Sequence, residues 1–251
     1  MIEINFPPNP EDYIFELHPR WASVYLLARA VQHYGADKLN VICTKFRDQE
    51  DFNTHRQLYN NIEELADKLG LHTVNYVWLG NVFPDFPRNA TGDYDILKLK
   101  EVFTPAMHQI DESLNLITED GDGYKFSKAT AAKQVAVMAV MGLIGPDMVA
   151  DPTRPHKKLF RWEAKSNNLQ YQPIVDTLAV KGLDYMEWPL HQYTLAEIIL
   201  SAQEEGLLDV VLSAKTCNLE NRPYHCGNCR NCMFRRMTLL DLEIPDTARY
   251  E

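Results

Sequence analysis

Four cysteines, Cys217, Cys226, Cys229 and Cys232, fall within sixteen residues near the end of this 251-residue chain. Their spacing is C-x8-C-x2-C-x2-C, and a fifth cysteine, Cys43, stands far from them. Structural Zn²⁺ takes four ligands in a tetrahedron, and thiolate sulfur suits it well. Two overlapping C-x2-C steps let the backbone turn three sulfurs toward one centre, and Cys217 closes the shell from upstream. With all four positions taken, none stays open for a catalytic water, so the expected zinc is structural. An iron–sulfur cluster also uses four thiolates and stays open as an alternative. A pair of disulfides is the remaining use of four thiols, and it belongs to secreted chains.

Other candidate groups surround the cysteines. His225 adjoins Cys226 and is expected to support a sulfur ligand rather than replace one. Arg222, Arg230, Arg235 and Arg236 cluster in the same stretch. They form either an anion or nucleic-acid patch, or compensation for the negative charge of a tetrathiolate site, the expected reading. Trp162, Trp188, Tyr171 and Tyr185 have faces that stack on purines, but core packing is their commoner use. The EDGDG stretch from Glu119 to Gly123 lacks the glutamate and spacing of a calcium loop and reads as a turn. No Ser–His–Asp arrangement, carboxylate pair, dinucleotide fingerprint or His-x-x-His spacing stands out.

The formal net charge of −10 argues against broad binding to nucleic acid or anionic membrane. The first residues, MIEINFPPNPEDY, have neither the basic nor the apolar segment of a signal peptide. No apolar run reaches the length of a membrane span. A reducing, cytoplasmic setting is the expectation, with Cys43 as inert core. A hydrophobic content of 45% suffices for a substantial core.

The elements that must position these residues alternate along the first part of the chain. Strands are expected over Tyr13 to Leu17, Leu39 to Thr44 and Thr73 to Leu79. Between them, helices are expected over Ser23 to Tyr34 and His55 to Leu69, stopped by Gly35 and Gly70. That alternation implies a parallel sheet with helices on its faces. Further on come a loop from Gly80 to Gly92, an apolar helix from Ala129 to Leu143 and a charged, mobile excursion from Asp151 to Asn168. A strand over Asp184 to Trp188 follows, then helices from Leu195 to Glu205 and near Met233 to Leu240. One α/β domain spans residues 1–251, with a zinc-binding subregion at 213–240.

The knuckle and its flanks resemble the 7-cyano-7-deazaguanine synthase (QueC) family. That family has a glycine after the second cysteine and an arginine three residues after the last, the places of Gly227 and Arg235 in CGNCRNCMFR. The preceding PLHQYTLAEII also matches, with Pro189, Leu190, Ala196, Glu197 and Ile198 in register. The likeness is strong from about Trp188 onward. It implies a PP-loop domain of the adenine-nucleotide α hydrolase type, built on a parallel sheet, and often a homodimer. It also implies a reaction. ATP adenylates 7-carboxy-7-deazaguanine, ammonia gives the amide, and a second activation dehydrates this to the nitrile used in queuosine or deazaguanine modification.

The chain departs from the family where ATP would sit. The family's Ser-Gly-Gly-x-Asp-Ser loop brings backbone N–H groups and a helix N-terminus to the phosphates. Here His18, Pro19, Arg20, Trp21 and Ala22 precede Ser23, the one match. Proline removes a donor, and side chains stand where glycines admitted the phosphates. The family lysine at the start of the later helix is Leu195, and His55 with Arg56 aligns only across a gap. If the site binds anything, Ser23, Arg20 and His18 are the candidate residues, although an exposed loop arginine is the plainer reading of Arg20. The expectation is a zinc protein with a degenerate ATP/Mg²⁺ site that binds a purine-like molecule, or a protein or nucleic-acid partner, and no membrane. A synthase with a rebuilt nucleotide site, and an assembly protein whose pocket is filled by His18, Arg20 and Trp21, are the alternatives.

Overall fold

A computed structural model describes residues 1–45, 52–78, 158–160, 164, 186–217 and 224–251. Its centre is a parallel sheet of five strands: β1 (Tyr13–Glu16), β2 (Val41–Lys45), β3 (Asn75–Trp78), β4 (Lys158–Phe160) and β5 (Met186–Glu187). They lie in the order β3-β2-β1-β4-β5. Phe15 pairs with Val41 on one side and Phe160 on the other. Ile42 pairs with Asn75, and Leu159 with Met186. Ile14, Phe15, Val41 and Ile42 are buried, as expected of a parallel sheet covered on both faces.

Helix α1 (Trp21–Tyr34) follows β1, and α2 (Phe52–Leu69) follows β2. Gly35, at φ 89°, ends α1, a conformation that costs glycine little. On α2, Ile62, Leu65, Ala66 and Leu69 recur at i, i+3, i+4 and i+7 and are buried. Helices α3 (Leu195–Glu204), α4 (Leu208–Leu212) and α5 (Arg230–Asp241) complete the described elements. Helix α1 packs against α2, α3 and α4, and α5 packs against α3. Val24, Leu27, Ala30, Ile198, Ile199, Ala202 and Val211 form the core between them.

Residue by residue, the elements differ from the sequence-based expectation mainly at two places. Strand β4 lies inside the charged run expected to be a mobile excursion. Its Phe160 is the reason. Phe160 is buried against Phe15, with ring centroids 5.4 Å apart, and its edge meets Tyr13 at 5.8 Å. One buried aromatic residue with aromatic neighbours on the adjoining strand outweighs the surrounding charge. Helix α4 was not expected at all. Val211 and Leu212, its buried residues, are too few for periodicity to show. The expected loop at 80–92, the turn at 119–123 and the helix at 129–143 lie outside the described residues.

The order β3-β2-β1-β4-β5 reverses direction between β1 and β4. In open α/β sheets, ligands bind outside the carboxyl ends of the strands at such a switch point. The segment from Leu17 to Arg20, between β1 and α1, sits there.

Candidate metal centre and the adjoining switch point

The four cysteine sulfurs lie within 4.8 Å of one another. The Cys217–Cys229 and Cys226–Cys232 sulfurs are each 3.9 Å apart. Four thiolates about 2.3 Å from a central zinc would be separated by roughly 3.8 Å, so the cluster has the dimensions of a metal site. No pair is bonded as a disulfide.

Local backbone geometry builds the cluster. Cys217 lies beyond α4, Cys226 and Cys229 precede α5, and Cys232 is on its first turn. Backbone amides point at the sulfurs: Cys226 N–H at Cys217 Sγ (3.5 Å), Cys229 N–H at Cys226 Sγ (3.3 Å) and Cys232 N–H at Cys229 Sγ (3.4 Å). The last contact also caps α5, since Cys229 is its N-cap. Such donors stabilise thiolate charge. Gly227 has φ 71°, and a Cβ there would stand 3.5 Å from the Tyr250 ring. The turn therefore asks for glycine because of its backbone conformation rather than for lack of room.

The end of the chain clamps this turn. His225 donates its N–H to Arg249 O (2.9 Å) and accepts from Glu251 N–H (3.0 Å). Its Nδ1 stands 3.7 Å from Cys232 Sγ. Burial, and then the Arg235 guanidinium, push His225 down to about 4. It lies beside the sulfurs.

The three described arginines among Arg222, Arg230, Arg235 and Arg236 do not form one patch. Arg235 is only 2% exposed. It donates to Leu212 O (3.0 Å), Ala214 O (3.2 Å) and Asp246 Oδ1 (3.0 Å), and lies 5.2 Å from the Trp21 ring centroid. It therefore joins α5 to the end of α4, the chain's last residues and α1. Arg230 and Arg236 are exposed, and Arg236 lies over the Tyr250 ring. Arg222 lies outside the described residues.

A second bond ties the cluster to the sheet's switch point. Arg20 Nη1 donates to Thr216 O, next to Cys217. Arg20 is thus held between the turn after β1 and the cysteine segment instead of projecting from an exposed loop. Ser23 is fully buried. Its hydroxyl accepts from His18 N–H (2.8 Å) and donates to Glu16 O (3.0 Å), fixing the turn from β1 to α1. His18 is half-buried on that turn. No residue from His18 to Ala22 has positive φ, so the turn lacks the alternating conformation of an anion-binding nest. At α3, Thr194 and Glu197 form a reciprocal capping box, with Thr194 N–H on the Glu197 carboxylate at 2.7 Å. An acidic side chain thus already occupies that helix start, beside Leu195.

Trp21 Nε1 and Thr216 Oγ1 are buried polar atoms without a hydrogen-bond partner among the described residues. They lie on the two segments that Arg20 joins.

No protein-family model and no curated protein matches this chain.

Trp188 is buried core, whereas Trp162, Tyr171 and Tyr185 lie outside the described residues. His55 and Arg56 fall on the first turns of α2. Sequence reasoning passed over Thr216, Asp246 and Tyr250. Thr216 offers its backbone carbonyl to Arg20, a role that does not depend on residue type. Asp246 had a signal: it is an acid beyond the end of α5, where it can meet the inward-facing Arg235. No helix among the described residues is long and apolar enough to cross a membrane.

Proposed function

We propose that this protein is a divergent relative of the 7-cyano-7-deazaguanine synthases that holds a structural zinc and binds a purine-like molecule without ordinary use of ATP. Cys217, Cys226, Cys229 and Cys232 hold the zinc, on a scaffold of the PP-loop type in a cytoplasmic protein. The observation that carries the reading is that Trp21 Nε1 and Thr216 Oγ1, buried on the two segments that Arg20 joins, have no hydrogen-bond partner among the described residues. Buried polar atoms of this kind are rare and ask for a partner. The ring nitrogens and carbonyl of a purine-like molecule offer acceptors for both.

Three features weigh against a polyphosphate. The turn before α1 has no glycine and no nest conformation, Arg20 is committed to Thr216, and Glu197 caps α3. The Arg20 bridge also favours a second reading, an assembly protein in which this bond closes the old pocket.

The test mixes zinc-loaded protein with 7-carboxy-7-deazaguanine, ammonium and Mg-ATP, and looks for amide and nitrile by mass spectrometry. Calorimetric binding and melting are followed in parallel with 7-carboxy-7-deazaguanine alone and with Mg-ATP alone. The expected result is no product, while an active synthase converts the same mixture. The deazaguanine should raise the melting temperature, by an amount corresponding to about 2.7 kcal/mol at a hundred times its Kd, and Mg-ATP should not. Product above the no-enzyme control would overturn the reading in favour of a rebuilt nucleotide site. Neither product nor binding would leave the assembly reading.

A further inference from the structure

The four clustered cysteines are not equally sheltered. Cys217, Cys226 and Cys232 are buried, whereas Cys229 is half-buried and open on one side to a small solute. Cys229 is also the N-cap of α5, where the positive end of the helix dipole favours a thiolate over a thiol. The exposed Arg230 guanidinium follows it in sequence. Cys217 Sγ stands 3.9 Å from Cys229 Sγ, and Cys226 with Cys232 makes another pair at that distance. A partly accessible thiolate with a second sulfur in reach is the arrangement of an oxidation-sensitive cysteine and its resolving partner. Cys43, 1% exposed on β2, takes no part.

One sulfur here serves two structures. Cys229 Sγ belongs to the metal cluster, and it accepts from Cys232 N–H, the contact that caps α5. Chemistry at this atom therefore acts on cluster and helix together. Helix α5 in turn carries Arg235, whose bonds reach Leu212 O, Ala214 O and Asp246 Oδ1. A change at Cys229 is thereby passed to the packing of the knuckle on the end of α4.

We propose that Cys229 is a peroxide-oxidation site, resolved by Cys217, whose reaction empties the metal cluster and uncaps α5. This rests on the zinc reading of the four cysteines given above. First, the Cys229 thiolate attacks one oxygen of hydrogen peroxide. The O–O bond breaks, hydroxide leaves, and Cys229 becomes a sulfenic acid. The Cys217 thiolate then attacks the Cys229 sulfur. An S–S bond forms, the S–O bond breaks, and a second hydroxide leaves. Both hydroxides take protons from solvent. The two thiolates together lose two electrons, and the peroxide gains them. Cys226 and Cys232 remain, too few for a closed tetrahedral site, so the cluster gives up its ion and α5 loses its first turn. A dithiol reverses the disulfide.

The test adds hydrogen peroxide in small excess to the intact, zinc-loaded protein. A chromophoric chelator reads released zinc, dimedone traps sulfenic acid, iodoacetamide blocks the remaining thiols, and peptides are mapped without reduction. Amide exchange follows α5. The first dimedone label is expected at Cys229, followed by a Cys217–Cys229 disulfide, one zinc released per disulfide, and protection lost across Arg230–Asp241. A dithiol with added zinc should restore the starting state. Cys229→His should still hold one zinc, with three sulfur neighbours and one nitrogen, and should release it at least about tenfold more slowly. If that variant holds no zinc, the peptide map of the natural protein decides alone. A first label at another cysteine, a first disulfide without Cys229 or Cys217, or zinc kept after the disulfide has formed would overturn the proposal. So would four intact thiols at a peroxide dose that oxidises glutathione in a parallel sample. Reduced protein that holds no zinc before peroxide is added would instead overturn the zinc reading on which the proposal rests.

Discussion

At the scale of single residues, Arg235 does the most to hold the knuckle to the body of the protein. It is nearly inaccessible and serves two carbonyls and one carboxylate. Removing one partner of a buried ion pair leaves the other uncompensated, which costs about 3–5 kcal/mol. Arg235→Ala should lose that much in chemical denaturation, and a loss below about 1 kcal/mol, the ordinary value for a surface pair, would remove Arg235 from this role. Gly227 makes a smaller, conformational contribution. At φ 71°, Gly227→Ala should cost about 1–2 kcal/mol and weaken metal binding in a competition titration with a chromophoric chelator. The cysteine cluster was readable because a metal site needs particular atoms at particular spacings. The binding partners of Arg235 and Arg20 were not, because both use backbone carbonyls, which any residue supplies.

At the scale of elements, α5 depends on the metal site in two ways. Its N-cap is a cysteine whose sulfur accepts from Cys232 N–H, and Cys232 itself lies on its first turn. Metal removal should therefore melt α5 and the turn before it, because binding free energy at such a site is folding free energy. Amide exchange after chelation should show protection lost across residues 224–241 and kept in α1. Unchanged protection at α5 would mean that the metal is incidental to its fold. Helix α3 is held instead by its own capping box, so Thr194→Ala should cost about 1 kcal/mol whatever the metal content. The long helices were legible from apolar spacing. The short strand β4 was not, since Leu159 and Phe160 are two apolar residues within a charged run, and α4 is too short for a period to form. Both owe their structure to tertiary neighbours: β1 beside β4, and α1 beside α4.

At the scale of the whole molecule, the two ends of the described chain meet around one site. Arg20 joins the sheet's switch point to the cysteine segment, and the last residues clamp the turn through His225. Parallel order was legible from the alternation of strand and helix, but the position of β4 beside β1, and hence the switch point, was not. Asp246 makes this closure sensitive to acid. Burial alone would raise its carboxyl, but the Tyr250 hydroxyl, the Ala248 amide and the Arg235 guanidinium together hold it below its ordinary value of 3.8. A folded-state value that is lowered contributes stability above the unfolded value, and that stability is lost as pH falls through the folded one. Asp246→Asn should therefore be less stable than the natural protein by about 2–4 kcal/mol at pH 7, and the difference should narrow only below about pH 4. A difference that instead vanished between pH 5 and 7 would show that another group is responsible. Metal content combined with X-ray absorption at the zinc edge tests whether the four thiolates hold one zinc ion. One zinc per chain with four sulfur neighbours at about 2.3 Å is the expected result. A chain purified without metal and with its cysteines paired as disulfides, or one carrying iron with inorganic sulfide, would contradict it.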